Sequence, residues 1–212
     1  MENIKMPKKG DIIKFDLGSK MIPYSEKEGQ YRVLKVEGNN AFVVAMWDLY
    51  EVNFSKKDNL YRTSNIDKLL EQGLYKTCSA KVKKAIVVQK QLKQSFYSWT
   101  DEYFDNETRP LYTSQLQKEK LVGKRHIYLL DVENIREYFN FEEFSNDELS
   151  DMLFSCDCGW CWTRSADASD FSYAWRVYGD DGFVNYYGIS NTDAVRPAFV
   201  IDLSNIEWNE IN

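Results

Sequence analysis

The chain has 212 residues, 43% apolar and 28% charged, with a formal charge of −6 at pH 7. That balance excludes a disordered polymer, and the acidic field repels phosphate backbones, so nucleic acid is not an expected ligand. No run of about 18 apolar residues occurs, and Met1 to Gly10 lacks the apolar core of a signal peptide, so a soluble, cytoplasmic protein without membrane contact is expected.

Aromatic residues are abundant: 14 Tyr, 12 Phe and 6 Trp exceed what a core of this size needs, which directs some of them to a surface. The length fits one domain over residues 1–204, with a long insertion near 93–124 and a loosely held tail at 205–212.

In chain order, Asp11 to Phe15 reads as a short strand. Tyr31 to Val36 and Ala41 to Trp47 are β-branched and aromatic runs around Glu37-Gly38-Asn39-Asn40, a hairpin signature. Ser64-Asn65-Ile66-Asp67 offers an N-cap oxygen with an acid three residues on, so a helix is expected from there to a stop at Gly73. Ser79 to Lys84 adds a short turn of helix, and Ala85 to Gln89 a buried strand.

Residues 93–124 lose periodicity and become polar, aromatic and charged, the pattern of a binding loop or a disordered insertion. His126 to Leu130 reads as a strand, Asp131 as the N-cap of a helix over Val132 to Phe139, and Ser145-Asn146-Asp147-Glu148 as a capping box for a helix to about Leu153. Four strand-like runs follow, at Trp160 to Arg164, Tyr173 to Tyr178, Phe183 to Tyr187 and Ala198 to Leu203, with Gly179-Asp180-Asp181-Gly182 as a tight turn. The whole is α+β: a twisted, mostly antiparallel sheet with two or three flanking helices.

Trp160-Cys161-Trp162-Thr163-Arg164-Ser165, then Val177 to Tyr186 with Asp181-Gly182-Phe183-Val184-Asn185-Tyr186 at its centre, then Val195-Arg196-Pro197-Ala198-Phe199-Val200-Ile201-Asp202-Leu203, form three motifs. They resemble a bacterial and phage family described as a domain of unknown function, and Gly10 to Phe15, Tyr31 to Leu34 and His126 to Asp131 agree with its earlier segments. The resemblance is weakest across residues 48–124, and Cys161, Thr163 and Cys156-Asp157-Cys158 depart from the family pattern. It implies a C-type-lectin-like fold, related to that of formylglycine-generating enzymes and of the variable proteins of diversity-generating retroelements. The oxidative chemistry of the former uses cysteines near the end of the fold, and this chain has none after Cys161.

Chemistry-bearing residues are sparse. Cys156, Cys158 and Cys161 could hold zinc with Cys78 or His126, but no second C-x-x-C pair exists and Cys161 lies in a strand, so buried thiols are favoured over a metal. His126 is the one histidine and begins an apolar strand, the setting of a packed histidine more often than of a general base. The acids Asp167, Asp170, Asp180 and Asp181 suit turn geometry. Arg164, Arg196 and Asp202 are read as structural, the guanidiniums holding loop carbonyls or acids such as Asp202 or Asp193.

The surface from Ser165 to Asp193 carries the Tyr, Trp, Ser and Asn vocabulary of recognition sites. Asp167, Asp170, Tyr173, Trp175, Tyr178, Asp180, Asp181, Asn185, Tyr187 and Asn191 are therefore the candidate contacts of a protein partner. The expected function is non-catalytic recognition without a cofactor, and the acidic charge with the phage resemblance suggests an inhibitor seated in the basic groove of a host defence enzyme. A zinc-dependent enzyme or zinc-stabilised domain is the alternative, and carbohydrate binding ranks below protein binding.

Overall fold

The computed structural model describes residues 6–23, 25–98, 115–138, 159–178 and 184–211. The architecture is α+β and mostly antiparallel, as the strand and cap signatures predict.

The first sheet grows from the hairpin of β2 (Gln30–Glu37) and β3 (Asn40–Ala45), whose register closes at Glu37 opposite Asn40. Gly38 takes a left-handed φ of 59° in that turn, a conformation that a side chain would strain. β3 is buried at every position from Ala41 to Ala45, which explains why its sequence is an unbroken apolar run. It lies between β2 and β12 (Ala198–Asp202), while β1 (Ile12–Lys14) and β5 (Ile86–Val87) flank them. The tail departs from expectation: β13 (Asn209–Ile211) pairs with β1 as an edge strand, so residues 209–211 belong to the sheet. Backbone bonding along Ile12 to Lys14 outweighs the polar composition that suggested a loose end.

Helix α1 begins at Asn65 with Ser64 Oγ accepting from the Asp67 N–H at 3.0 Å, as the cap signature predicts. It does not stop at Gly73. A π-helical stretch runs through Lys68–Tyr75, and Gly73 is needed for packing, since a Cβ there would stand 2.9 Å from the Met21 methyl. Ser79 caps α2 (Ala80–Ala85), and α3 spans Val132–Tyr138 with Asp131 Oδ1 accepting from the Glu133 N–H. The expected strand at 126–130 reduces to a bridge between Tyr128 and Ala198, and the helix expected at 145–153 lies outside the described residues.

The insertion also differs from expectation. Its described parts form long paired strands, β6 (Gln89–Ser98) and β7 (Gln115–Arg125), with register shifts at Leu92 and Phe96. Those irregularities break the two-residue alternation that sequence reading relies on. β6 continues into the second sheet by pairing in parallel with β8 (Trp160–Asp167). There β8 also neighbours β9 (Tyr173–Tyr178) and the short β11 (Thr192–Ala194); β10 (Val184–Gly188) pairs with β9, and β4 (Glu51–Asn53) with β11. One apolar cluster takes side chains from both sheets, with Phe15 stacked on Tyr31 at 4.2 Å and Tyr31 edge-on to Trp47 and Phe199. No described helix is long and apolar enough to cross a membrane.

Candidate recognition surface

The C-terminal motifs are structural at their centres. In β8, Trp162 Nε1 donates to the Val52 carbonyl at 2.8 Å and its ring meets Phe54 edge-on. Thr163 Oγ1 donates to the Trp175 carbonyl, and Ser165 Oγ accepts the Val132 N–H, satisfying a donor at the start of α3. Arg164 is 7% exposed; its Nε donates to the Lys93 carbonyl, its Nη1 to the Leu129 carbonyl and Asn134 Oδ1, and Asp131 lies 3.5 Å away. Arg196, also buried, donates Nε and Nη2 to the Ala45 carbonyl.

The acids expected beside these arginines are used elsewhere. Asp202 Oδ1 accepts from Ser204 and Oδ2 from Asn205, which holds its carboxyl below the usual range, and Asp193 pairs with Arg176.

Arg176 lies across a layered contact: its guanidinium carbon is 3.9 Å from the Trp160 ring centre and 3.6 Å from that of Tyr187. Asp193 reaches it only at 3.3 Å, and burial outweighs that attraction, pushing the carboxyl up to about 6. A raised acid binds protons more tightly folded than unfolded. Its stabilising contribution is therefore complete below pH 4 and is lost as pH rises through about 6. Urea unfolding of wild type and D193N across that window is expected to show a wild-type decline, relative to the variant, on the order of 2 kcal/mol. Parallel curves for the two proteins would remove Asp193 as the titrating group.

The expected contacts divide by burial. Tyr173, Trp175 and Val177 share one face of β9, but Trp175 is 0% exposed, edge-on to Tyr97 at 5.9 Å and to Tyr186 at 6.4 Å. It is a core residue and not a surface contact, because β6 and β10 bring rings over it. Asp167 is likewise corrected: it is buried, and its Oδ1 accepts from Ser169 N, Ser169 Oγ and Asp170 N, so it builds the loop that follows. Tyr187 is half-buried against Arg176 and Trp162, and Asn185 is half-buried with its Oδ1 on the Tyr186 N–H. Asp170, Tyr173 and Asn191 are exposed. The Tyr178 side chain, Asp180 and Asp181 lie outside the described residues.

Two residues that sequence reading passed over complete the surface. Phe171 is 67% exposed, two positions before Tyr173, which is 36% exposed and meets Tyr186 edge-on at 5.2 Å. An aromatic residue within Ser169-Asp170-Phe171-Ser172, a polar turn without strand periodicity, was the available signal for it. Asn59 is buried beneath, its Nδ2 shared among the carbonyls of Asp167, Asp170 and Tyr173 at 2.9, 3.1 and 2.9 Å. That amide sets the loop in advance of any contact.

The cysteine alternative divides too. Cys161 is buried in β8 and its thiol is pushed up to about 12 by desolvation; Cys78 is pushed up to about 11 by the same cause. His126 stacks on Tyr75 at 3.9 Å and hydrogen-bonds Glu71. Among the described residues no group of three or more His, Cys, Asp or Glu could hold a metal, and Cys156 and Cys158 lie outside them.

No curated protein and no solved structure matches the chain. The family model described as a domain of unknown function, DUF6273, matches residues 38–203, which take in β3 to β12 and the Phe171 loop but leave out β1, β2 and β13, and the chain belongs to that family.

Proposed function

We propose that this chain is a non-catalytic recognition protein that captures a protein partner on the Phe171–Tyr173 surface, with Asp170, Asn185 and Asn191 around it. The observation that carries the reading is Phe171, an apolar ring left two-thirds exposed on a loop that buried Asn59 holds in place. A pre-set aromatic pair offers apolar area with little ordering cost, the property of interface anchors. The C-type-lectin-like resemblance fits the same use, since such folds present loops from a rigid sheet. The net charge of −6 favours a basic partner surface, and with the phage resemblance it supports inhibition of a host defence enzyme by occupation of its basic groove.

The double variant F171A/Y173A tests it by affinity capture from the native host. Loss of roughly 30-fold or more in retained partner is expected, with the melting temperature nearly unchanged because both rings are exposed. Weaker retention at high salt marks the groove-filling form. Undiminished capture by the double variant removes this surface as the docking site.

A further inference from the structure

A cavity of about 570 Å³ opens between β3, β6, α3 and β8, away from the Phe171 loop. Its size suits a small molecule. Phe42 and Tyr128 form one wall with rings 6.1 Å apart and 28° from parallel, and Tyr138 meets Phe42 edge-on at 5.4 Å.

Several polar groups without a hydrogen-bond partner among the described residues belong to its lining. Arg164 has Nε and Nη1 committed to protein acceptors, which fixes the guanidinium plane, while Nη2 has no hydrogen-bond partner among the described residues and is not sealed from solvent. The same holds for the Tyr128 hydroxyl, the Ser95 hydroxyl and Asn134 Nδ2, and all four residues line the cavity. Arg164, Tyr128 and Ser95 are each more than nine-tenths buried. These groups are open to acceptors brought into the cavity.

The surrounding charge narrows the ligand. Asp131 offsets Arg164, the rim pairs Lys35–Glu37 and Lys93–Glu119 offset each other, and Glu133 is offset by Arg136. A multiply charged anion meets no net positive field there, whereas one carboxylate can take charge-assisted bonds from Nη2 and the hydroxyls. We infer that this cavity binds a small monocarboxylate carried on a planar apolar body, with Arg164 Nη2 and the Tyr128 and Ser95 hydroxyls holding the carboxylate and Phe42, Tyr128 and Tyr138 enclosing the body.

Titration of the full chain with 3-phenylpropionate, followed by saturation-transfer NMR and calorimetry, tests this against 3-phenylpropanamide and inorganic phosphate. Saturable binding of the carboxylate, with the amide and phosphate much weaker, is expected. Because Arg164 also holds the fold, the decisive variants are Y128F and S95A, which each delete one oxygen that bonds nothing among the described residues. Each is expected to weaken 3-phenylpropionate roughly tenfold with an unchanged melting temperature, and F171A/Y173A to leave it untouched. Absence of saturable binding, equal binding of phosphate or the amide, or binding indifferent to both hydroxyl deletions would each overturn the assignment.

Discussion

Replacing Trp175 by alanine is expected to destabilise the protein by about 3–5 kcal/mol, the range for deleting a large buried aromatic side chain. Trp175 has no exposed surface, its indole lies edge-on to Tyr97 and Tyr186, and its carbonyl accepts from Thr163. The missing ring leaves a cavity that paired strands on both sides of β9 keep from collapsing. Urea unfolding should show a lower midpoint with an unchanged slope, and the melting temperature should fall by roughly 10 °C. A loss below about 1 kcal/mol would mean that the indole is peripheral. The contrast with F171A/Y173A is the useful one: residues from one segment separate into a variant that loses stability and a variant that loses partner.

Arg164→Ala is expected to cost a comparable amount, about 3–5 kcal/mol, through electrostatics and unmet acceptors. Asp131 is 1% exposed and would lose the nearby guanidinium, while the carbonyls of Lys93 and Leu129 would lose charged donors. The double variant R164A/D131N should recover part of the loss, because it removes the buried carboxylate together with its guanidinium partner. The coupling between the two positions, read from a thermodynamic cycle of urea unfolding, should exceed about 1 kcal/mol. Strict additivity would show that Arg164 acts through its carbonyl bonds alone. Its bonds to β6, the segment before α3 and Asn134 make it a brace for the second sheet, and it also lines the cavity.

Local signatures proved legible where one segment settles its own conformation. The β2–β3 hairpin formed at the predicted turn, and Ser64 and Ser79 cap the helices expected to follow them. These outcomes rest on contacts within a few residues, which composition encodes directly. The misses share the opposite property. Gly73 read as a helix stop, but Met21, from a distant segment, occupies the space beside it. Residues 93–98 and 115–124 read as loop because bulges broke their alternation, and pairing between them supplied the order. The tail read as loose because its partner, β1, lies at the other end of the sequence.

The side chains of the surface proposed for recognition did not divide as their spacing suggested. Alternation along Tyr173 to Tyr178 states that two faces differ; it does not state which face is covered, and Trp175 went to the core. The structural role of Arg164 followed from its apolar strand, whereas its acid did not: Asp131 rather than Asp193 or Asp202 stands beside it.

By itself the amino-acid order determined the α+β class, the hairpin and the capped helices, because turn chemistry, caps and apolar runs act over short spans. Tertiary structure alone decided which aromatic rings are buried, which carboxylate meets which guanidinium, and that Asn59 braces a loop up to 114 residues away. Those outcomes depend on which surfaces the strands bring into contact, and burial and ion pairing take their energy from neighbours in space, which a linear pattern does not name.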